Sequence, residues 1–306
     1  MKNKPILNSI IAFAVIVMAA FAVNSCKSGS GEEEKDKVVD MTEVDESVIQ
    51  DVKEAKKIFL SLPSPLESAM LIKSAGAAFD ADLLNPTDAV SSYSTNKAMA
   101  LNLGIYTCDL SFSSLYDQTQ LVIDYMNAAK KLADGLGILD AINEETINRL
   151  EENVNNRDVI LDIVSETFMN TNAYLEDNEQ PAIASIVLVG GWLEGLYIAT
   201  QLVDIDSFDA SKLVGRIIDQ KLSIDIMLRL LEENMSHPAV PEIAEQMNAV
   251  KAVFDKFTVT TTKITPEVDE ETNVTVLKSE ITSDITPQIF MELTEVVAGI
   301  RSSFVK

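Results

Sequence analysis

The amino-acid sequence predicts a mainly α fold, a multi-helix antiparallel bundle of about nine helices with one β-hairpin before the C-terminal helix. Apolar residues recur three or four positions apart through most of the chain after residue 48, which is the spacing of an amphipathic helix. Proline, glycine and asparagine interrupt this pattern at short intervals, and short connections favour antiparallel neighbours. One stretch near the C-terminus alternates with a period of two instead.

In the first half of the chain, helices are predicted at about 48–62, 65–80, 95–115 and 118–136. The first ends at Pro63, because proline does not fit inside a helix. A loop at Asn85-Pro86 follows the second, Thr95 caps the third, and Gly135 and Gly137 end the fourth. The third helix carries an apolar stripe at helical spacing, formed by Ala98, Leu101, Ile105, Cys108, Phe112 and Leu115.

In the second half, helices are predicted at about 147–154, 160–168, 182–203, 213–231 and 241–257. Pro181 precedes the most hydrophobic internal segment. Pro241 lies in the first turn of a helix whose apolar residues, from Ile243 to Phe257, are spaced four, three, four and three apart. Thr286-Pro287 begins the last helix, whose predicted buried stripe is Ile289, Leu293, Val296, Ile300 and Phe304.

The predicted hairpin covers about 257–283. Residues 257–261 alternate in the pattern of a half-buried strand, and so do residues 274–276. Both runs are rich in threonine and valine, which favour strands. The acidic segment 266–273 between them is turn-like, so it is expected to connect the two strands.

The N-terminus has the composition of a secretory signal peptide. Lys2 and Lys4 precede an apolar run from Ile10 to Val23, and Ser25 lies directly before Cys26. The small residue followed by cysteine resembles the lipobox of bacterial lipoproteins, which implies cleavage before Cys26 and acylation of the new N-terminal cysteine. The alternative is a transmembrane anchor with an incidental cysteine, but a spanning helix needs about 20 apolar residues and this run has fourteen.

Three regions follow from these patterns: a signal peptide at 1–25, a flexible acidic tether at 26–47 and a helical domain at 48–306. The tether is dominated by glycine, serine and charged residues. Its acidic residues 32–34 resemble a surface-export signal of some Gram-negative lipoproteins, although a solvated linker would have the same composition. The expected location is the bacterial outer membrane, at the periplasmic face or the cell surface, with acyl chains such as palmitate as the membrane anchor.

The charge of the chain restricts its partners. It carries 24 Lys+Arg against 48 Asp+Glu, a net charge of −24. Such a surface repels nucleic acid, whose binding depends on cations that neutralise phosphates. It also repels anionic lipid headgroups, so attachment to a membrane has to come from the acyl chains.

No cofactor or metal is predicted. His237 is the only histidine, so a histidine-based zinc site is not expected, and its place beside Pro238 indicates a loop residue. Cys108 lies on an apolar helical stripe and is expected to be a buried small residue rather than a nucleophile. No phosphate loop, EF-hand loop, cysteine cluster or Gly-x-Ser-x-Gly motif is present.

A first candidate site lies on the helix at 95–115. Asn102, Tyr106, Asp109 and Ser113 recur at positions that share one helix face, between apolar residues on either side. These side chains form a ligand-binding cleft, a buried polar network or the solvent edge of the helix. The segment 102–110 also resembles an NLG-x-Y-x-x-D-L motif of uncharacterised Gram-negative envelope lipoproteins, a resemblance that supports the helical fold and implies no activity.

A second candidate site lies in the apolar helix at 182–203, where Glu194 is the only charged residue of residues 183–200. A buried carboxylate needs a partner or a raised pKa, and the candidate partners are Lys97, Arg216 and Arg229. Gly190, Gly191 and Gly195 permit close approach of a helix or of a ligand. We expect Asn102, Tyr106, Asp109 and Glu194 to share one internal site, lined by Trp192 or Tyr197.

Three classes of function remain open. The expected one is a lipid-anchored envelope protein that binds a ligand or partner protein without catalysis. The others are a structural or accessory subunit of an outer-membrane assembly and a hydrolase that uses Asp109 and Glu194 as acid and base. The absence of catalytic motifs favours a protein that is not an enzyme. A binding protein predicts an enclosed pocket, whereas an accessory subunit predicts an exposed apolar patch.

Overall fold

The structure, a computed structural model, describes residues 64–139, 144–153, 155–178, 180–261, 265–268, 275–278 and 281–306. The predicted signal peptide, tether and helix at 48–62 lie outside the described residues. Nine α-helices occur within the described ranges: α1 (Pro65–Ser74), α2 (Asn96–Leu115), α3 (Thr119–Gly135), α4 (Glu144–Glu152), α5 (Arg157–Asp177), α6 (Pro181–Gln201), α7 (Lys212–Glu232), α8 (Val240–Phe254) and α9 (Pro287–Phe304). The mainly α fold predicted from the sequence is therefore confirmed.

The single β-hairpin before the last helix is also confirmed. β1 (Val259–Thr261) pairs antiparallel with β4 (Ile281–Ser283), and β2 (Thr265–Val268) pairs antiparallel with β3 (Thr275–Lys278). The predicted turn began too early, because Pro266 lies in β2 opposite Leu277. Proline is tolerated there since a two-stranded ribbon leaves one edge of each strand without a hydrogen-bonded neighbour.

Two helices differ in length from their predictions. α1 ends at Ser74 rather than near residue 80, and Gly76 follows with a φ of +87°. Glycine adopts this left-handed conformation easily, so it ends the helix. α5 extends from residue 157 to residue 177, well beyond the predicted 160–168. Its second half is held by packing, since Leu175 is fully buried.

The helices α2 and α6 form the centre of the fold. Every residue of Ala100–Leu115 is buried except Thr107, and every residue of Ala182–Thr200 is buried except Leu188 and Tyr197. A helix that is apolar and buried on nearly all sides belongs to the core of a domain. Of the described helices, α6 alone is long and apolar enough to suit a membrane span, but 83% of its most apolar window is buried within the fold, which accounts for its composition.

Glycines allow α2 and α6 to approach closely. A Cβ atom on Gly104 would lie 2.0 Å from the carbonyl oxygen of Val187 and 2.6 Å from the backbone nitrogen of Gly191. A Cβ atom on Gly190 would lie 2.1 Å from the carbonyl oxygen of Leu101. These neighbours are backbone atoms, so a side-chain movement cannot relieve the overlap. The glycines thus admit a neighbouring helix rather than a ligand.

The order of the contacts gives the direction of the two central helices. The Cβ position of Gly190 faces Leu101, and that of Gly195 faces Cys108 farther along α2. The two helices therefore run in the same direction. The remaining helices pack around this pair: α1, α3 and α5 contact α2, while α7 and α9 contact α6. All described apolar core residues belong to one contiguous cluster, so this part of the chain carries a core of its own.

We expect Gly104→Ala to lower the free energy of unfolding by about 1–3 kcal/mol, because the added methyl group overlaps backbone atoms of α6. Urea denaturation monitored by circular dichroism measures the change. The matched control is Gly215→Ala in α7, where an added Cβ meets no atom within 4 Å. That substitution should raise stability by up to about 1 kcal/mol, the helix propensity of alanine over glycine. Equal effects of the two substitutions would contradict the close crossing.

Candidate functional site

Seven polar side chains from four segments meet beside the crossing of α2 and α6. We call them the polar cluster: Asn85, Tyr93, Asn102, Tyr106, Asp109, Glu194 and Arg301. They come from the connection between α1 and α2, from α2, from α6 and from α9. Asn102, Tyr106, Asp109 and Glu194 have no exposed surface, as expected for one internal site.

Two asparagines connect the first half of the chain to its C-terminus. The side-chain amide of Asn85 donates to the Tyr93 hydroxyl and to Oδ1 of Asn102, both at 3.1 Å. The Asn102 amide donates in turn to the carbonyl oxygen of Phe304 at 2.8 Å and to that of Ala98 at 2.9 Å. The last carbonyl groups of a helix have no N–H donor within that helix. Asn102 therefore supplies the hydrogen bond that the Phe304 carbonyl group at the end of α9 would otherwise lack.

Tyr106 anchors the connection that precedes its own helix. Its hydroxyl group donates to the carbonyl oxygen of Pro86 at 2.9 Å. Burial raises the pKa of Tyr106, so the phenol stays protonated and keeps donating. The ring lies between those of Tyr93 and Tyr125, with centroid distances of 6.3 and 5.8 Å. This residue is placed to hold a loop.

Glu194 forms a bidentate ion pair with Arg301. Nε of Arg301 lies 3.0 Å from Oε2, and Nη2 lies 2.9 Å from Oε1. The Glu194 side chain is fully buried, and 12% of the Arg301 side chain is exposed. Nη2 also donates to the carbonyl oxygen of Leu83, and the guanidinium lies 4.7 Å from the centroid of the Tyr197 ring. A bidentate pair with further donors and an aromatic cover is the geometry that a buried charge requires.

Asp109 lies close to Glu194 in the same buried place. Oδ2 of Asp109 accepts from the backbone N–H of Asn85 at 3.1 Å, whereas Oδ1 has no donor among the described atoms. Burial, followed by the nearby Glu194 carboxylate, raises the pKa of Asp109 well above its usual range. A protonated Oδ1 can donate to Glu194. Burial also raises the pKa of Glu194, but the Arg301 guanidinium opposes this effect, so Glu194 is the ionised member.

Five of the six predicted ligand-binding candidates meet at this place, and one does not. Asn102, Tyr106, Asp109 and Glu194 belong to the polar cluster, and Tyr197 covers Arg301. Trp192 points elsewhere: its indole nitrogen donates to Gln220 of α7 at 3.1 Å. The physical reason is helical geometry, because residues two positions apart in a helix face nearly opposite directions.

The predicted ion partners of Glu194 were wrong. Lys97 pairs with Glu242 at 2.7 Å, and Arg216 lies 3.8 Å from Asp219. The true partner is Arg301. Its place beside the apolar stripe of α9 indicates a partly buried cation, but residue spacing does not identify the partner of that cation. The observed buried stripe of α9 consists of Phe290, Leu293, Val297, Ile300 and Phe304.

Arg301 follows Val297 by one turn and therefore lies at the edge of that stripe. The predicted stripe included Ile289 and Val296, which are only partly buried. Its centre was therefore rotated around the helix, away from Arg301. Asn85 was predicted only as part of a loop, and no periodic signal marks a buried polar residue in a loop.

The structure also locates Cys108 and His237, the two residues that the sequence analysis considered for other chemistry. Cys108 is fully buried, as predicted, and burial raises the pKa of its thiol. His237 lies in the turn between α7 and α8, where its Nδ1 accepts from the backbone N–H of Ala239 at 3.3 Å. In the described part of the chain, no group of three histidine, cysteine or acidic residues is arranged to hold a metal ion.

A second feature lies on the other side of α2, where α2, α3 and α5 border an apolar cleft. We call it the α2–α3–α5 cleft. Its space is about 630 Å³, part of it open to solvent. The apolar residues that line it include Leu103, Leu110, Met126, Val164, Phe168 and Val187. Its described polar residues are Thr107, Lys130, Thr167 and Thr171.

Comparison with known proteins identifies no relative of this chain. No protein-family model, no curated protein and no solved structure matches this chain. The geometry of the polar cluster and of the cleft is therefore the basis for any functional conclusion.

We expect Glu194→Gln to lower the free energy of unfolding by about 3–5 kcal/mol, because it leaves the charge of Arg301 without a buried partner. The double variant Glu194→Gln with Arg301→Met should lose much less than the sum of the two single variants. Urea denaturation of the four proteins measures this coupling. Additive losses would show that the ion pair is not an energetic unit.

Asp109→Asn should preserve the hydrogen bond from the backbone N–H of Asn85, since an amide oxygen can accept it, and the amide group can also donate towards Glu194. The wild-type carboxyl group has a raised pKa when folded, so its contribution to stability is complete below about pH 4. It declines as the pH rises towards the folded pKa. The variant should therefore match the wild type near pH 4 and become more stable than it by up to about 1.4 kcal/mol for each pH unit above that. Thermal melts between pH 4 and pH 8 measure the difference, and parallel curves would contradict a raised pKa of Asp109 in the folded protein.

Proposed function

We propose that this chain is a lipid-anchored protein of the bacterial envelope whose helical domain binds a ligand or partner without catalysis. The observation that carries the binding role is the α2–α3–α5 cleft. Binding sites for small molecules are concave and mostly apolar, with a few polar groups. The mostly apolar lining of this cleft, with one lysine and three threonines, fits that description.

The polar cluster supports a role without catalysis. A carboxylate pair that performs acid–base chemistry has to reach substrate and water. Asp109 and Glu194 have no exposed surface, and hydrogen bonds join Asp109 to Asn85 and Glu194 to Arg301. Access of a substrate would require rupture of a buried bidentate ion pair. The cluster is therefore best explained as a structural connection.

The anchor is supported by the sequence around Cys26. The basic start, the apolar run and the serine before Cys26 form the pattern that directs lipid attachment in bacterial lipoproteins. Because the chain is strongly acidic, acyl chains are the most direct means of holding it at an anionic membrane. The outer membrane, at its periplasmic face or at the cell surface, is the proposed location.

In cells supplied with a labelled palmitate analogue, the wild-type protein should incorporate the label and enter the detergent phase. Cys26→Ala should do neither. Cys108→Ala is the matched control, because it removes the other cysteine of the chain and should leave both results unchanged. Gel fluorescence and Triton X-114 partitioning provide the measurements. A Cys26→Ala protein that is cleaved and still partitions with membranes would refute the lipid anchor.

A further inference from the structure

We infer that the α2–α3–α5 cleft binds a single-chain fatty acid, with the alkyl chain along the apolar lining and the carboxylate towards Lys130. This inference deepens the proposed binding role and rests on it. It depends on the apolar lining of the cleft, on the charge at its border and on a buried hydroxyl group without a partner.

The apolar lining of the cleft suits an alkyl chain. Leu103 and Leu110 of α2 line it, and seven residues of helix correspond to a length of about 10 Å. Side chains of α3 and α5, including Met126 and Phe168, line the cleft as well. Methionine adapts to irregular apolar ligands, and phenylalanine contributes a large apolar surface. This lining favours an alkyl chain over a polar metabolite.

The charge of the cleft determines which amphiphile fits. Lys130 is exposed and is the one charged residue among the described residues that line the cleft. No carboxylate of the described chain lies within ion-pair distance of its ammonium group. The chain as a whole carries a net charge of −24 and repels anions, so Lys130 is a local exception. An unpaired lysine beside an apolar cleft attracts an anionic headgroup and disfavours a cationic one at that place.

The threonines of the cleft provide a further polar group. Oγ1 of Thr107 donates to the carbonyl oxygen of Leu103 at 2.7 Å, so its hydrogen atom is already used. Oγ1 of Thr167 is buried and has no hydrogen-bond partner among the described atoms. A buried hydroxyl group without a partner costs about 1–3 kcal/mol. A carboxylate oxygen in the cleft would be an acceptor for it.

The direct test is a binding titration with cis-parinaric acid, a fluorescent fatty acid, on the chain from Lys27 to Lys306. This chain keeps the whole described core and lacks the predicted signal peptide and lipidated cysteine. The fluorescence should rise to saturation at one equivalent. Laurate should displace the probe, whereas dodecyltrimethylammonium, which has the same chain length and a cationic headgroup, should not.

Two pairs of variants locate the site. Lys130→Glu should weaken binding about fivefold or more, because it replaces an attractive charge with a repulsive one. Lys131→Glu makes the same charge change on the neighbouring residue, which does not line the cleft, and should weaken binding less than twofold. Ala129→Phe should abolish binding by filling the cleft, and Thr167→Val should weaken it while preserving shape.

The outcomes separate this inference from the proposed function. Absence of saturable binding, or equal effects of Lys130→Glu and Lys131→Glu, would overturn the fatty-acid site. If Ala129→Phe does not fold, the comparison of the two lysine variants decides the question by itself, since both substitutions are at the surface. Failure of fatty-acid binding would leave the palmitate labelling of Cys26 unaffected, so the fatty-acid site and the lipid anchor fail independently.

Discussion

The buried ion pair between Glu194 and Arg301 is the interaction on which the rest of the structure depends. It joins the central helix α6 to the last helix of the chain, 107 residues later. Removing two charges from water is costly, and the geometry compensates with two short hydrogen bonds, a backbone carbonyl group and the Tyr197 ring. Once α9 is held in this position, the carbonyl oxygen of Phe304 lies within reach of Asn102.

The glycine crossing explains why the polar residues meet at this place. At Gly104, Gly190 and Gly191 no side chain separates α2 from α6, so the two backbones are nearly in contact. Side chains just beyond such a crossing are forced together, and here they are Asp109 and Glu194. Two carboxylates in one apolar location cannot both ionise, so Asp109 retains a proton and Glu194 takes the positive partner.

The helix α2 separates two environments with different chemistry. One side carries Asn102 and Asp109, which bind protein groups. The other side carries Leu103 and Leu110, which line the cleft. Through the polar cluster, α2 is hydrogen-bonded to the end of α9, and α9 is ion-paired with α6. A preformed apolar surface of this kind avoids the entropic cost of ordering a site upon binding.

The sequence by itself determined the helical class, the position of the hairpin and the membership of Asn102, Tyr106, Asp109 and Glu194 in one internal site. These follow from local patterns, because hydrophobic spacing and the rarity of unpaired buried polar groups are visible along the chain. Tertiary structure alone decided that Arg301 pairs with Glu194, that Trp192 faces α7 and that α2 and α6 run in the same direction. Each of these depends on the rotation and order of helices far apart in the chain, which residue spacing does not encode.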